Sequence, residues 1–245
     1  MDNVNKTIKD VQQEVQAARQ PWYYALRQAR FLLGAYLFML ALFGSLAFLV
    51  YLHPLLPVDV VITREFQENR TPWLNMFMVG ISYLGNTMWL FVGLIALTAL
   101  VFWLLRFRLE ALALIFICLS NSLLNVLVKL LIARPRPAQP LVLVLQYANG
   151  KSFPSGHVMS YVAYWGALFT FSIILFRKRR WWRNTLLVIS SFFVVLVGPS
   201  RIYLGDHWAS DVLGGYLLGG LWLWVCLWLY TKLKERHVLA TPDKR

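Results

Sequence analysis

Residues 109–132 read LEALALIFICLSNSLLNVLVKLLI and run directly into Ala133-Arg134-Pro135-Arg136-Pro137. A helix that crosses a bilayer needs about 20 mostly apolar residues. This stretch has that length, and it stops where two prolines remove backbone N–H groups that a helix would use. Further apolar runs of similar length lie at 31–52, 84–105, 157–176, 185–204 and 212–231. Residues 73–83 are apolar but too short to span, and are expected to form a re-entrant or interfacial lead-in to the second run. The predicted fold is therefore all-α, a six-transmembrane-helix bundle. Composition agrees: 59% of the 245 residues are hydrophobic, 14% are charged, and the mean hydropathy is +0.57. Soluble domains are nearer 45–50% apolar and about 25% charged, so a soluble globular enzyme is excluded. Aromatic residues make up 16% of the chain, which excludes disorder as well.

A net charge of +13 would point to nucleic acid in a soluble chain. In a membrane chain its distribution sets orientation instead, and no nucleic-acid partner is expected. With a cytoplasmic N-terminus, 17 of the 24 Lys and Arg fall on cytoplasmic segments, namely 1–30, 106–108, 177–183 and the tail after 231. Cytoplasmic loops carry the excess of Lys and Arg. Both termini are therefore expected inside, with 53–72, 133–156 and 205–211 outside, in a multi-pass protein of the cell membrane. The first 30 residues are polar and show no cleavable signal, so the first run is expected to anchor the chain uncleaved. Within them Val4, Ile8, Val11, Val15, Ala18 and Trp22 recur every three or four residues. That spacing predicts an N-terminal amphipathic helix lying on the membrane interface, interrupted at Pro21. Three segments result: an extension over 1–30, a six-helix domain over 31–231 and a basic tail over 232–245. Cys118 and Cys226 sit in apolar runs without metal-type spacing and read as packing residues.

Charge at membrane depth is costly and asks for a reason. It collects at the outward helix ends in three clusters. In the first, Lys129 and one or both of Arg134 and Arg136 are held at the membrane surface by Pro135 and Pro137. A planar guanidinium fork and an ammonium point charge both suit tetrahedral oxyanions. In the second, Phe153-Pro154-Ser155-Gly156-His157 leads into the fourth run. Ser155 resembles an N-cap, free amides at the positive helix end form a phosphate seat, and Gly156 lets a ligand approach the backbone. His157 then stands beside the anion. In the third, Arg201 closes the fifth run, His207 opens the sixth, and Asp211 follows four residues later on the same face. An aspartate that accepts one imidazole N–H leaves the other ring nitrogen free to attack. His207 and Asp211 could alternatively ligate a metal, but Lys129, Arg136 and Arg201 would repel a cation. No further carboxylates are expected to cluster there, and neither metal nor cofactor is expected. The inventory matches metal-free phosphoryl transfer.

Lys129-x6-Arg136-Pro137, Pro154-Ser155-Gly156-His157 and Ser200-Arg201-x5-His207-x3-Asp211 together resemble the three signature motifs of the type 2 phosphatidic acid phosphatase family. Order and spacing match at every motif position; Arg134 lies outside the motif and is an accessory candidate. The resemblance implies a metal-independent phosphatase in which His207 is the nucleophile of a phosphohistidine intermediate. Asp211 would be its orienting partner and His157 the general acid. Lys129, Arg136, Arg201, Ser155 and the Gly156 amide would bind phosphate. The family also includes soluble vanadium haloperoxidases, against which the apolar runs argue. The expected function is hydrolysis of a lipid phosphate or diphosphate, such as undecaprenyl diphosphate, phosphatidylglycerol phosphate or phosphatidate, at the extracytoplasmic face. A lipid phosphotransferase would use the same intermediate. An anion channel would explain the cations but not the His207–Asp211 spacing. A Gly215-x3-Gly219 pair reads as helix packing.

Overall fold

The computed structural model describes residues 22–176 and 181–240. Among them the chain is helical and forms no strand. In chain order the helices are α1 (Trp22–Leu52), α2 (Pro57–Glu68), α3 (Pro72–Asn86), α4 (Met88–Leu104), α5 (Arg108–Ile132), α6 (Gly156–Leu175), α7 (Trp181–Tyr203) and α8 (Ala209–Ala240). The chain divides into two units, Met1–Ala41 and Leu42–Arg245. In the first, residues 22–41 are the opening of α1; the expected interfacial stripe from Val4 to Ala18 lies outside the described residues. The second unit carries all three charged clusters.

Five of the described helices are long and apolar enough to cross a membrane: Arg30–Leu52 within α1, α5, α6, α7 and Ala209–Glu235 within α8. That corrects the expected six. The run at 84–105 is divided, because Thr87 takes an extended conformation (φ −102°, ψ 96°) between α3 and α4. Gly85 and Asn86, both poor helix formers, precede the break. The 17 residues of α4 reach only about 26 Å at 1.5 Å each, short of a typical hydrocarbon core. The lead-in expected at 73–83 is the separate 15-residue helix α3.

The helix α6 is apolar around its whole circumference and is enclosed by α3, α5, α7 and α8. Aromatic side chains fill the space around it: Trp165 stacks on Phe193 of α7 at 4.6 Å, and Phe171 meets Tyr230 of α8 at 5.1 Å. By contrast α5 is two-faced, turning Leu119, Leu123, Leu127 and Leu130 outward while Leu114, Ile117, Asn121 and Asn125 face inward. At the start of α8, a Cβ on Gly215 would lie 3.0 Å from the Ser155 carbonyl oxygen and from Val158. One on Gly219 would lie 3.3 Å from Met159 Cα. These glycines bring the backbones of α6 and α8 close together, as the packing reading of the pair expects.

The segment expected as outer loop 53–72 contains α2, which packs on α7 and α8. Its buried residues are Asp59, Thr63 and Gln67, one polar stripe at intervals of four, while Val58 and Val61 are exposed. The helix is therefore turned with its polar face toward the ends of α7 and α8.

Candidate active site

The end of α5 meets the start of α6, and the end of α7 meets the start of α8. The helix α5 stops at Ile132, where Ala133 takes a left-handed conformation (φ 51°). Lys129, one turn earlier, donates to the carbonyls of Lys151 and Ser152, so it ties the helix end to the chain entering α6. Arg136 donates to Gly150 O at 3.2 Å, and to Asp206 O and Oδ1 at 2.9 and 3.0 Å. Its Nη1 lies 3.3 Å from His207 Nε2.

Ser155 precedes α6 with extended dihedrals, yet its hydroxyl does not cap the helix as expected. That hydroxyl is buried and makes no hydrogen bond, while its backbone N–H donates to Asp211 O at 3.0 Å. A Cβ on Gly156 would come within 3.1 Å of Asn125 Oδ1, and Asn125 Nδ2 in turn donates to Pro154 O at 3.2 Å. The His157 ring packs so tightly against Gly85 of α3 that a side chain at that glycine would collide with it.

Arg201, fully buried in the last turn of α7, pairs with Asp206. The backbone then folds back, with the N–H groups of Asp206 and His207 both donating to Arg201 O. His207 lies in this turn, not inside α8 as the sequence spacing implied, and α8 begins at Ala209. Asp211 nevertheless reaches it: Oδ2 is 3.6 Å from His207 Nδ1 and accepts the Trp208 N–H at 2.9 Å. Ser152 Oγ sits between them, donating to Asp211 Oδ2 and lying 3.3 Å from His207 Nδ1. Burial, with the charges of Arg136, Lys129 and Arg201, pushes His207 well below the ordinary histidine range. Burial also lowers Arg136, against the opposing pull of Asp211.

One cavity of about 560 Å³ is lined at one end by Lys129, Arg136, Gly156, His157 and His207. Its other end runs between α4 and α5 past Phe91, Ile95, Ile115 and Leu119 and is apolar. Ser155, Arg201 and Asp211 stand behind the charged end, so all eight residues picked out by sequence converge there. Arg134 does not. It is fully buried and turned away from the cavity, against Asp59 and Asp211.

The expectation that no further carboxylates cluster here is overturned, because Asp59 and Asp206 join Asp211. Each has an arginine partner: Asp59 and Asp211 with Arg134, Asp206 with Arg136 and Arg201. Among the described residues, ring nitrogens of His157 and His207 and an Asp206 oxygen lie within 4.8 Å of one another, a set that could ligate a metal. The cations already on Asp206 make it a poor ligand. Sequence reasoning also missed Ser152, Asn125 and Gly85. The polar stripe at 59, 63 and 67 was a legible signal for Asp59; for the others contact across helices was needed.

A family model described as the PAP2 superfamily matches residues 110–235. Phosphatidylglycerophosphatase B of Bacillus subtilis is 31% identical over 196 residues, covering 79% of this chain and 93% of that protein. An undecaprenyl-diphosphatase of Sulfolobus acidocaldarius is 28% identical over 165 residues, covering 66% of this chain and 73% of that protein. The crystal structure of a transmembrane PAP2 type phosphatidylglycerolphosphate phosphatase from Bacillus subtilis superimposes with a TM-score of 0.69 at 28% identity, covering 80% of this chain and 96% of that one.

Proposed function

The chain belongs to the PAP2 superfamily of lipid phosphatases and is a phosphoric-ester hydrolase, and on that premise we propose how its residues act. The substrate is a membrane lipid carrying a phosphate or diphosphate, with undecaprenyl diphosphate, phosphatidylglycerol phosphate and phosphatidate as the candidates. The observation that carries this reading is the two-ended cavity, cationic around both histidines and apolar between α4 and α5. A charged head with a hydrocarbon tail matches both ends at once.

In the proposed reaction Lys129, Arg136 and the amides opening α6 bind the phosphoryl oxygens, and Arg201 and the Ser155 hydroxyl, buried behind the charged end, turn onto them as the substrate enters. The Arg136 N–H now directed at His207 Nε2 moves onto a phosphoryl oxygen. The freed Nε2 lone pair attacks phosphorus, and the bond to the leaving oxygen breaks. His157 gives that oxygen a proton, and later takes one from the water that cleaves the phosphohistidine and releases inorganic phosphate. Neutral His207 is the competent form, which its depressed pKa favours. The charge distribution supports an extracytoplasmic site.

The test is phosphate release by purified protein, with chelator present, across prenyl diphosphates, phosphatidate, phosphatidylglycerol phosphate and soluble phosphate esters. Hydrolysis of a lipid substrate in chelator is expected. Activity abolished by EDTA and restored by a divalent cation would put a metal on His157, Asp206 and His207 and overturn the mechanism.

A further inference from the structure

Behind His207, on the side away from the cavity, lies a buried network that the reaction as proposed does not use. Arg134 commits every arm of its guanidinium there. Nη1 donates to Asp211 Oδ1 at 2.6 Å and to Ser210 Oγ at 2.7 Å, Nη2 to Asp59 Oδ2 at 2.7 Å, and Nε to Pro54 O at 2.8 Å. Asp59 is held in turn by the Ser210 N–H at 2.8 Å and the Ser210 hydroxyl at 2.6 Å. Arg134, Asp59 and Asp211 are each 1% exposed or less.

From this geometry we infer that Asp59, Arg134 and Ser152 are positioning residues for the His207–Asp211 pair, so that α2 is part of the phosphoryl-transfer machinery. The inference rests on His207 being the nucleophile. Attack by Nε2 leaves positive charge on the imidazole, with Lys129, Arg136 and Arg201 already around it. That charge needs a net negative partner on the Nδ1 side. Arg134 alone would cancel Asp211. Asp59 offsets Arg134, and two carboxylates on one guanidinium leave one net negative charge behind the ring. Arg134 is nonetheless needed, because it claims Oδ1 of Asp211 and leaves Oδ2 to face His207, and because an unpaired buried carboxylate is costly. Ser152 completes the link. Its hydroxyl donates to Asp211 Oδ2 and presents its lone pairs to Nδ1, closer at 3.3 Å than the carboxylate at 3.6 Å. Nδ1–H thus has two acceptors, which fixes the tautomer that frees Nε2. Asp59 lies outside the region matched by the family model, 110–235, so this device is attached to the shared site from a separate helix.

The experiment compares purified wild-type protein with Asp59→Asn, Ser152→Ala, Arg134→Lys, Gln67→Ala and His207→Ala. Probes are dioctanoyl phosphatidate and farnesyl diphosphate in detergent micelles, with unfolding temperature measured in parallel. Orienting partners of a reactive imidazole typically cost about 10–100-fold when removed. Asp59→Asn, Ser152→Ala and Arg134→Lys should each lower kcat by about that factor with KM within about threefold, since none touches the phosphate. Rapid-quench formation of phosphohistidine should slow by the same factor. Gln67→Ala separates this from mere anchoring of α2. It removes bonds to Leu143 O and Tyr203 O, so it should lower the unfolding temperature and leave kcat within about twofold. An inactive His207→Ala beside wild-type kcat in Asp59→Asn, Ser152→Ala and Arg134→Lys would overturn the inference alone. Equal kcat losses in Gln67→Ala and Asp59→Asn would reduce the network to structural anchoring. An active His207→Ala would overturn the nucleophile assignment, and the inference with it.

Discussion

At the residue scale the two histidines should separate cleanly. Removing a covalent nucleophile costs many orders of magnitude, whereas a general acid contributes about 10²–10⁴-fold. His207→Ala should abolish turnover and phosphoenzyme together. His157→Ala should be slow but alive, with a smaller deficit on an aryl phosphate whose leaving group needs no proton. Acid-labile phosphate trapped on His157 would reverse the roles. The pH dependence of kcat/KM follows from the environment of His207, which reports on the free enzyme. Burial and then Arg136, Lys129 and Arg201 disfavour the imidazolium, with the hydrogen bond to Ser152 opposing. The neutral form therefore persists as pH falls through the usual histidine value of about 6.5. The acid limb should appear only well below that value, once substrate ionisation is corrected for, and an acid limb at or above it would contradict the assignment. These eight residues were legible because motif spacing constrains them within single helix ends. Gly85 and Asn125 were not, since what matters in them is contact across helices: Gly85 with the His157 ring, Asn125 with Pro154. Arg134 was legible as a charge but was misplaced, because nothing local shows that its partner is Asp59, 75 residues earlier.

At the element scale, close helix contact at the site depends on glycine in some places and tolerates it in others, and a paired substitution reads the difference. Gly215→Ala places a Cβ 3.0 Å from the Ser155 carbonyl and from Val158, forcing α8 from α6. Overpacking of this kind costs about 1–3 kcal/mol. A Cβ on Gly93 of α4 would meet no atom within 4 Å, so Gly93→Ala should instead gain about 0.4–1 kcal/mol by restricting the unfolded chain. Unfolding temperatures in one detergent should therefore move in opposite directions. Gly215→Ala should also lose activity, because Ser155 N–H donates to Asp211 O across that contact. If the two variants were equally stable, close α6–α8 packing would not be what Gly215 provides. Hydropathy located α5, α6, α7 and α8 because each is a long apolar run in itself. It failed at 84–105, where Thr87 breaks an apolar stretch without changing its hydropathy, so length alone misleads. It failed also at α2, whose buried face is the polar one, Asp59, Thr63 and Gln67. A reading that equates burial with apolarity cannot find such a helix.

At the scale of the whole molecule, the proposed side of the membrane follows from parity and charge together. The ends of α5 and α7 and the starts of α6 and α8 share one face, so Lys129, His157, Arg201 and Asp211 must all face the same compartment. Arg106, Arg108, Arg183, Lys232 and Lys234 lie at the opposite ends of those helices. Placing the latter inside leaves the proposed phosphate site outside, where Arg134, Arg136 and Arg201 run against the usual charge bias while paired with Asp59, Asp206 and Asp211. The arrangement is testable without any substrate. Cys118 and Cys226 are both buried and unpaired, so replacing them gives a background free of reactive thiols. Ala138, exposed in the segment after α5, and Glu235, exposed near the end of α8, report on opposite faces. In intact cells an impermeant thiol reagent should label Ala138→Cys and spare Glu235→Cys, and lysis should expose both. The reverse pattern would place the site in the cytoplasm, where the same histidines and cations would meet lipid heads of the inner leaflet instead.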